Sequence, residues 1–310
     1  MNVYGTKAIR NVVLLGHGGA GKTTAAEAMA LLTGVTKRMG KVTDGNTISD
    51  YDKEEIKRQF SISTSLIPLE YKGEDGPIKI NLLDTPGYFD FVGEVEEAVS
   101  VADAAIIVVN CKAGIEVGTE KAWEICEKYE LPRMMFVTNM DDDHASYREL
   151  VLKLETRFGR KIAPFQLPIR ENEKVVGFVK VVKMEGRRFT NLSDYEECEI
   201  PEYSKKNLGI AREALMEAVA ETSEEYMERY FSGEEFTYNE IEEALREHVI
   251  DGSIVPVLMG SGINCQGFAT LLRSISRYFP SPDKFECIGV DVSTGERFTA
   301  KYNDSVSLSA

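Results

Sequence analysis

The run Gly16-His17-Gly18-Gly19-Ala20-Gly21-Lys22-Thr23 sets four glycines against a lysine and a threonine. Glycines let a backbone turn so that successive N–H groups point inward at an anion. Those amides, with the N-terminus of a following helix, can cradle the α- and β-phosphates of a nucleotide. Lys22 is spaced to reach the β- and γ-phosphates and the Thr23 hydroxyl to meet Mg2+, while Thr24 joins the nucleotide-binding residues. A Gly-rich turn between strand and helix can be merely structural, but a Lys-Thr pair at its end argues for phosphate.

Three further segments supply complementary chemistry. Asp84-Thr85-Pro86-Gly87 follows the apolar run Ile80-Asn81-Leu82-Leu83. A carboxylate there is placed to stand behind Mg2+, and the Gly87 N–H to meet a γ-phosphate. Alone such a tetrad is an ordinary turn; about 60 residues after the glycine loop and behind a strand, it points to a GTPase. Thr138-Asn139-Met140-Asp141 follows Met134–Val137, and Asp141 can accept both N1–H and the 2-amino group of guanine, a pairing adenine cannot offer. Ser261-Gly262-Ile263 follows Ile254–Met259, where a backbone N–H would meet guanine O6.

These segments need a scaffold that brings strand ends together. Ile9–Leu15 reads as a strand feeding the glycine loop, and Thr23–Ala30 as the helix after it. Val35–Ser61 is polar, lacks periodicity and reads as a long functional loop. Strands are expected near Ser63–Tyr71 and Ile78–Leu83 with Lys72–Pro77 as the turn, then at Ala104–Val109 and Met134–Val137. Helices are expected near Glu94–Val101, Gly118–Tyr129 and Ala145–Phe158. This alternation predicts an α/β fold: a mostly parallel sheet with helices on both faces.

The rhythm changes around Arg160–Glu197 to short strands, then to an acidic helical stretch at Ser204–His248. It resumes with a strand in Ser253–Met259 and a helix near Gln266–Tyr278. The expected organisation is a first α/β part at 1–158, an inserted α+β subdomain at 159–252, the last α/β part at 253–282, and a β-flavoured tail at 283–310. The acidic stretch is either a solvated face or a docking surface for a basic partner.

Composition narrows the class. The 310 residues carry a net charge of −15, which excludes binding DNA through bulk electrostatics. No run approaches the roughly 18 consecutive apolar residues of a membrane span, and Met1–Arg10 lacks the order of a secretion signal. Five dispersed cysteines without a C-x-x-C pair read as free thiols in a reducing, cytoplasmic setting.

With these motifs in place the chain resembles elongation factor G. Pro164-Phe165-Gln166-Leu167-Pro168-Ile169 is similar to the family's approach to its inserted subdomain. Val255–Ser261, Gly267 and Tyr278-Phe279-Pro280-Ser281-Pro282 are similar to the exit and the link onward, and Phe298–Ala310 to the first strand of a β-barrel second domain. The resemblance implies a P-loop GTPase domain that takes GTP or GDP with Mg2+. It implies action on the ribosome, through stalk proteins and ribosomal RNA contacted mostly by a longer protein, with the isolated domain monomeric. The glycine loop is most similar to that of the elongation factor G-like paralogues; ribosome protection proteins are a close variant.

Departures from the family pattern bear on catalysis. Tyr88 stands where a histidine usually follows Asp-Thr-Pro-Gly, a position implied to direct the attacking water, and a phenol cannot replace an imidazolium. Thr138-Asn139-Met140-Asp141 stands for Asn-Lys-x-Asp, which removes an aliphatic stem from the base while Asp141 keeps the guanine preference. Ser61 stands for a threonine and retains a hydroxyl for Mg2+. Lys22, Gly87 and Tyr88 are therefore the catalytic candidates of a slow GTPase. The rivals are a nucleotide-dependent binding module with negligible hydrolysis and, from the degraded base motif, a P-loop ATPase.

Overall fold

A computed structural model describes residues 2–142, 146–172, 174–191 and 195–300. In chain order the strands are β1 (Ile9–Leu15), β2 (Ser65–Gly73), β3 (Gly76–Asp84), β4 (Ala104–Asn110), β5 (Arg133–Thr138), β6 (Ile162–Pro164), β7 (Gln166–Glu171), β8 (Lys174–Lys180), β9 (Glu185–Phe189), β10 (Tyr195–Cys198), β11 (Val255–Met259), β12 (Cys287–Val290) and β13 (Arg297–Ala300). The α-helices are α1 (Lys22–Leu32), α2 (Lys53–Arg58), α3 (Val92–Ser100), α4 (Val117–Lys128), α5 (Tyr147–Phe158), α6 (Glu202–Ala220), α7 (Glu224–Ser232), α8 (Tyr238–Ile250) and α9 (Phe268–Tyr278).

Among the described residues the main sheet has the order β2-β3-β1-β4-β5-β11-β6. Only the β2–β3 pair in it is antiparallel. Both faces are covered, so β4 reads as an unbroken apolar run, Ala-Ala-Ile-Ile-Val-Val, every residue of which is buried. Alternation assigns the faces. Val12, Leu14, Ile106 and Val108 pack with α1 and α9, while Val13, Leu15, Ile107 and Val109 pack with α3, α4 and α5. Parallel order puts the C-terminal ends of β1, β3, β5 and β11 on one edge, which places all four motifs there.

The chain between β6 and β11 forms a second, antiparallel sheet of order β10-β9-β8-β7, then α6 to α8. Strand β6, within the span 159–252 assigned by sequence to the insertion, is the edge strand of the main sheet, with Ile162 opposite Val255. The acidic stretch is amphipathic: Leu208, Ala211, Leu215 and Val219 of α6, and Ile241, Ala244, Leu245 and Val249 of α8, join the core beneath α1 and α9.

Three expectations need correction. The 35–61 segment is not all loop, because α2 forms within it, started by a capping box in which Asp52 accepts from the first turn and Glu55 reaches back. The hairpin joining β2 and β3 closes on Gly73 opposite Gly76, tighter than the predicted Lys72–Pro77 turn. The tail strand expected from Phe298 is not the first of the tail, because β12 precedes it and pairs with it antiparallel. Residues 301–310, and the predicted start of α5 at Ala145, lie outside the described residues.

Asp103 clasps the head of β4 to β1: its N–H donates to Asn11 O at 2.8 Å, and its Oδ2 accepts from Asn11 N at 3.2 Å. Burial lifts its carboxyl to about 6, outweighing the hydrogen bonds from Asn11 and the charge of Arg10. A raised folded-state value means that the native chain holds the extra proton, so stability is full below the ordinary carboxylate range, near pH 4, and falls as pH rises through about 6. Urea unfolding across this window should show a loss on the order of 1 kcal/mol, after discounting for partial exposure. Asp103→Asn keeps the acceptor and should flatten that part of the profile.

Candidate functional site

The glycine loop takes its shape from positive backbone angles: φ is 141° at Gly16, 82° at Gly19 and 100° at Gly21. At Gly16 a side chain is excluded twice over, since a Cβ would lie 2.4 Å from the Val108 carbonyl oxygen. Gly21 caps α1 in the left-handed conformation, so Lys22 and Thr23 open the helix, both buried, behind a loop of backbone amides. Ala20 is packed inward, and His17 faces away: its Nδ1 accepts from Gly118 N at 3.3 Å and its Nε2 lies 3.6 Å from Glu116 Oε1, bracing the loop against α4.

Lys22 Nζ donates to Gly16 O and His17 O, each at 3.0 Å. Burial lowers its pKa to about 8, against the opposing charges of Asp84, Asp50 and Glu116. Asp84, at the end of β3, is 1% exposed, and neither of its carboxylate oxygens has a hydrogen-bond partner. Burial raises it to about 6; the Ser49 and Thr23 hydroxyls, near it though outside hydrogen-bond geometry, and the charge of Lys22 pull it down without offsetting the desolvation. Both oxygens of Asp50 are likewise buried without a partner in hydrogen-bond geometry, and burial raises its carboxyl against the nearby Ser61 and Thr47 hydroxyls. Thr23 Oγ1 and Ser61 Oγ stand 3.2 Å apart in front of these acids. Two hydroxyls backed by two orphaned carboxylates fit a hard divalent cation such as Mg2+. Among the described residues no group of three or more His, Cys, Asp or Glu could hold a metal by itself. Such a cation would need further oxygens, as a phosphate chain provides.

The loop over this site is held from both ends. Glu27 of α1, buried, accepts from Gly40 N and Ile48 N, while Glu55 Oε1 accepts from Ile62 N at 2.9 Å and Ser63 N at 3.1 Å. Opposite lies Gly87, where a Cβ would sit 2.6 Å from Gly18 N and 2.5 Å from Lys22 Nζ. Tyr88 lays its ring over Gly18 and against Phe60, with ring centroids 4.8 Å apart. A cleft of about 220 Å3 runs between these parts, lined by Gly18, Gly19, Lys22, Thr23, Asp50 and Ser61 among others.

A second cleft, of about 330 Å3, opens at the ends of β5 and β11. Thr138 Oγ1 donates to Ala20 O at 2.7 Å, tying this end to the glycine loop. Asn139 turns the chain with φ of 57°, and Met140 N donates to Gly260 O at 3.3 Å. Asp141 is thereby presented beside Ser261, whose Oγ accepts from Asn264 N at 3.2 Å. Gly262 abuts Thr24, where a Cβ would come within 2.4 Å of the methyl group. Ile263 is 83% exposed and takes no part in the lining.

Sequence reasoning missed Asp50, one of several acids in an aperiodic polar run, and it missed Lys174, Val175 and Phe189, which the inserted sheet carries into the second cleft. Neither set has a spacing that marks it.

Residues 7–281 match the elongation factor Tu GTP binding domain. The chain belongs to that family. It is similar to a crystal structure of a protein from Thermus thermophilus, with a TM-score of 0.83 and 36% sequence identity over 95% of this chain. It spans 45% of that protein, less than half its length. Fold and family agree on a GTP-binding domain of the elongation factor type, carried on a mostly parallel α/β sheet.

Gly87→Ala tests the close approach. The added methyl pushes against a backbone amide and should weaken a GTP analogue roughly tenfold more than GDP, the loss of one hydrogen bond to a charged acceptor. Competitive titration of the two nucleotides reads this; equal weakening would remove Gly87 from triphosphate sensing.

Proposed function

We propose that this chain binds GTP or GDP with Mg2+ and hydrolyses GTP slowly, on the ribosome, in the cytoplasm. The observation that carries the slow rate is Tyr88, which lies over Gly18 against Phe60 and is 46% exposed. The loop amides from Gly18 to Gly21 and the start of α1 bind the phosphates. Lys22 Nζ turns from its two carbonyls to β- and γ-oxygens, where the anion restores the proton affinity that burial lowers. Thr23 and Ser61 hold Mg2+ with Asp84 and Asp50 behind them; when bound, the ion neutralises charge that builds on the phosphate oxygens. Asp141 and the Ser261–Gly262 backbone select guanine. Phe60 and Tyr88 close over the phosphates and exclude bulk water. The phenol can orient a water molecule, but it cannot bring the positive charge of an imidazolium to it.

A second reading is a ribosome-binding switch without appreciable hydrolysis. The Phe60–Tyr88 contact favours it, because it joins the two loops that a γ-phosphate would order whether or not the bond is cleaved. Single-turnover GTP hydrolysis with and without ribosomes separates the two. Ribosomal stimulation is expected for the GTPase, with Tyr88→His at least tenfold faster and Tyr88→Ala no faster than the parent chain. Ribosome binding that follows GTP over GDP with no turnover would leave the switch. Equal competition by ATP for the GDP site would remove guanine selectivity.

A further inference from the structure

A cavity of about 70 Å3 lies away from both clefts, between β8 of the inserted sheet and helices α8 and α9. Gln166, Lys180, Lys183, Arg273 and Arg277 stand on its wall, with the carboxylate of Glu242 among them. Gln166 is 1% exposed. Its Oε1 accepts from Met259 N at 3.0 Å, which fixes the orientation of the amide and leaves Nε2 buried with no hydrogen-bond partner. A buried donor left so costs about 1–3 kcal/mol.

The charges around it are unbalanced. The carboxylates at hand are already engaged: Glu242 lies 2.5 Å from Arg277 and Glu74 lies 2.9 Å from Arg277 and 3.4 Å from Arg273. Among the described residues Lys180 and Lys183 form no ion pair; each instead lies over a ring, Lys180 at 5.1 Å from Tyr195 and Lys183 at 4.7 Å from Tyr238. Burial, then Arg273 and Arg187, with Lys183 adding to them, hold the Lys180 ammonium down at about 8, and only Glu185 opposes. In a chain of net charge −15, this knot of cations beside an orphaned donor has the composition of an anion site.

We propose that this cavity binds a small tetrahedral oxyanion, either inorganic phosphate or the phosphoryl group of a small monoester, through Lys180, Lys183 and the Gln166 amide. Its size admits such a group and no macromolecule. The anion completes the hydrogen bonding of Gln166 and relieves the repulsion between the lysines. Because the other end of the same amide holds Met259, next to Gly260 and Ser261, occupancy also steadies the strand end beneath the guanine-facing loop.

The test is thermal unfolding in millimolar phosphate, glycerol phosphate or chloride at matched ionic strength. The chain is saturated with GDP and Mg2+ so that the glycine loop is filled; a Lys22→Ala chain run in parallel disables that loop without relying on nucleotide binding. A saturable rise in midpoint with phosphate is expected in both, and a response to glycerol phosphate alone would assign the site to the monoester. Lys180→Gln should raise the apparent dissociation constant at least tenfold. Gln166→Glu keeps the acceptor for Met259 and places a carboxylate among the lysines, so it should abolish the response while raising the midpoint in chloride. Identical midpoints in phosphate, glycerol phosphate and chloride, or an undiminished response in Lys180→Gln, would overturn the proposal.

Discussion

The structure turns on a buried lysine facing buried carboxylates across a gap that none of them fills. Lys22 and Asp84 both lie inside the protein with their charged forms disfavoured, one lowered and the other raised. Direct pairing would satisfy both, yet Lys22 bonds to main-chain carbonyls instead and the Asp84 oxygens stay unbonded. The parallel pairing of β1 and β3 enforces this, because Asp84 ends β3 and Lys22 follows the glycine loop off β1, both strands being fixed by ladder hydrogen bonds. Buried groups of this kind persist where the fold around them is rigid enough to hold them apart.

That rigidity is visible in what surrounds the gap. The apolar runs of β1, β4 and β5 are packed on both faces, and the Thr138 hydroxyl links the end of β5 to the glycine loop through Ala20. The inserted subdomain does not hang off this body: α6 and α8 bury their apolar faces in the same core, and β8 and β9 reach the second cleft.

Much of this was legible in the sequence. Continuous β-branched runs announced the parallel strands, and each motif sat directly behind one of them, so the edge on which they meet followed from the alternation alone. What was not legible has a common cause. Helix α2 is too short for periodicity to register, and its signal lies in the Asp52–Glu55 cap. Strand β6 is three residues long. Asp50 is one acid among several, distinguished only by burial, which a sequence does not display. The acidic stretch hid its apolar face because Leu208, Leu215, Ile241 and Leu245 are diluted among glutamates.

The anchoring of the 35–61 segment has a consequence in conformational entropy. A free loop of that length would lose backbone freedom at roughly 1–2 kcal/mol per residue on closing. Here Glu27 pins the segment at Gly40 and Ile48, and Glu55 pins it at Ile62 and Ser63, each through main-chain N–H groups. The stretch between the two pins carries Asp50 and Ser61, and α2 orders part of it. Glu27 sits on the same helix as Lys22. The helix that opens with Lys22 therefore also shortens the free span of this segment, and ordering it involves a few residues instead of a whole loop.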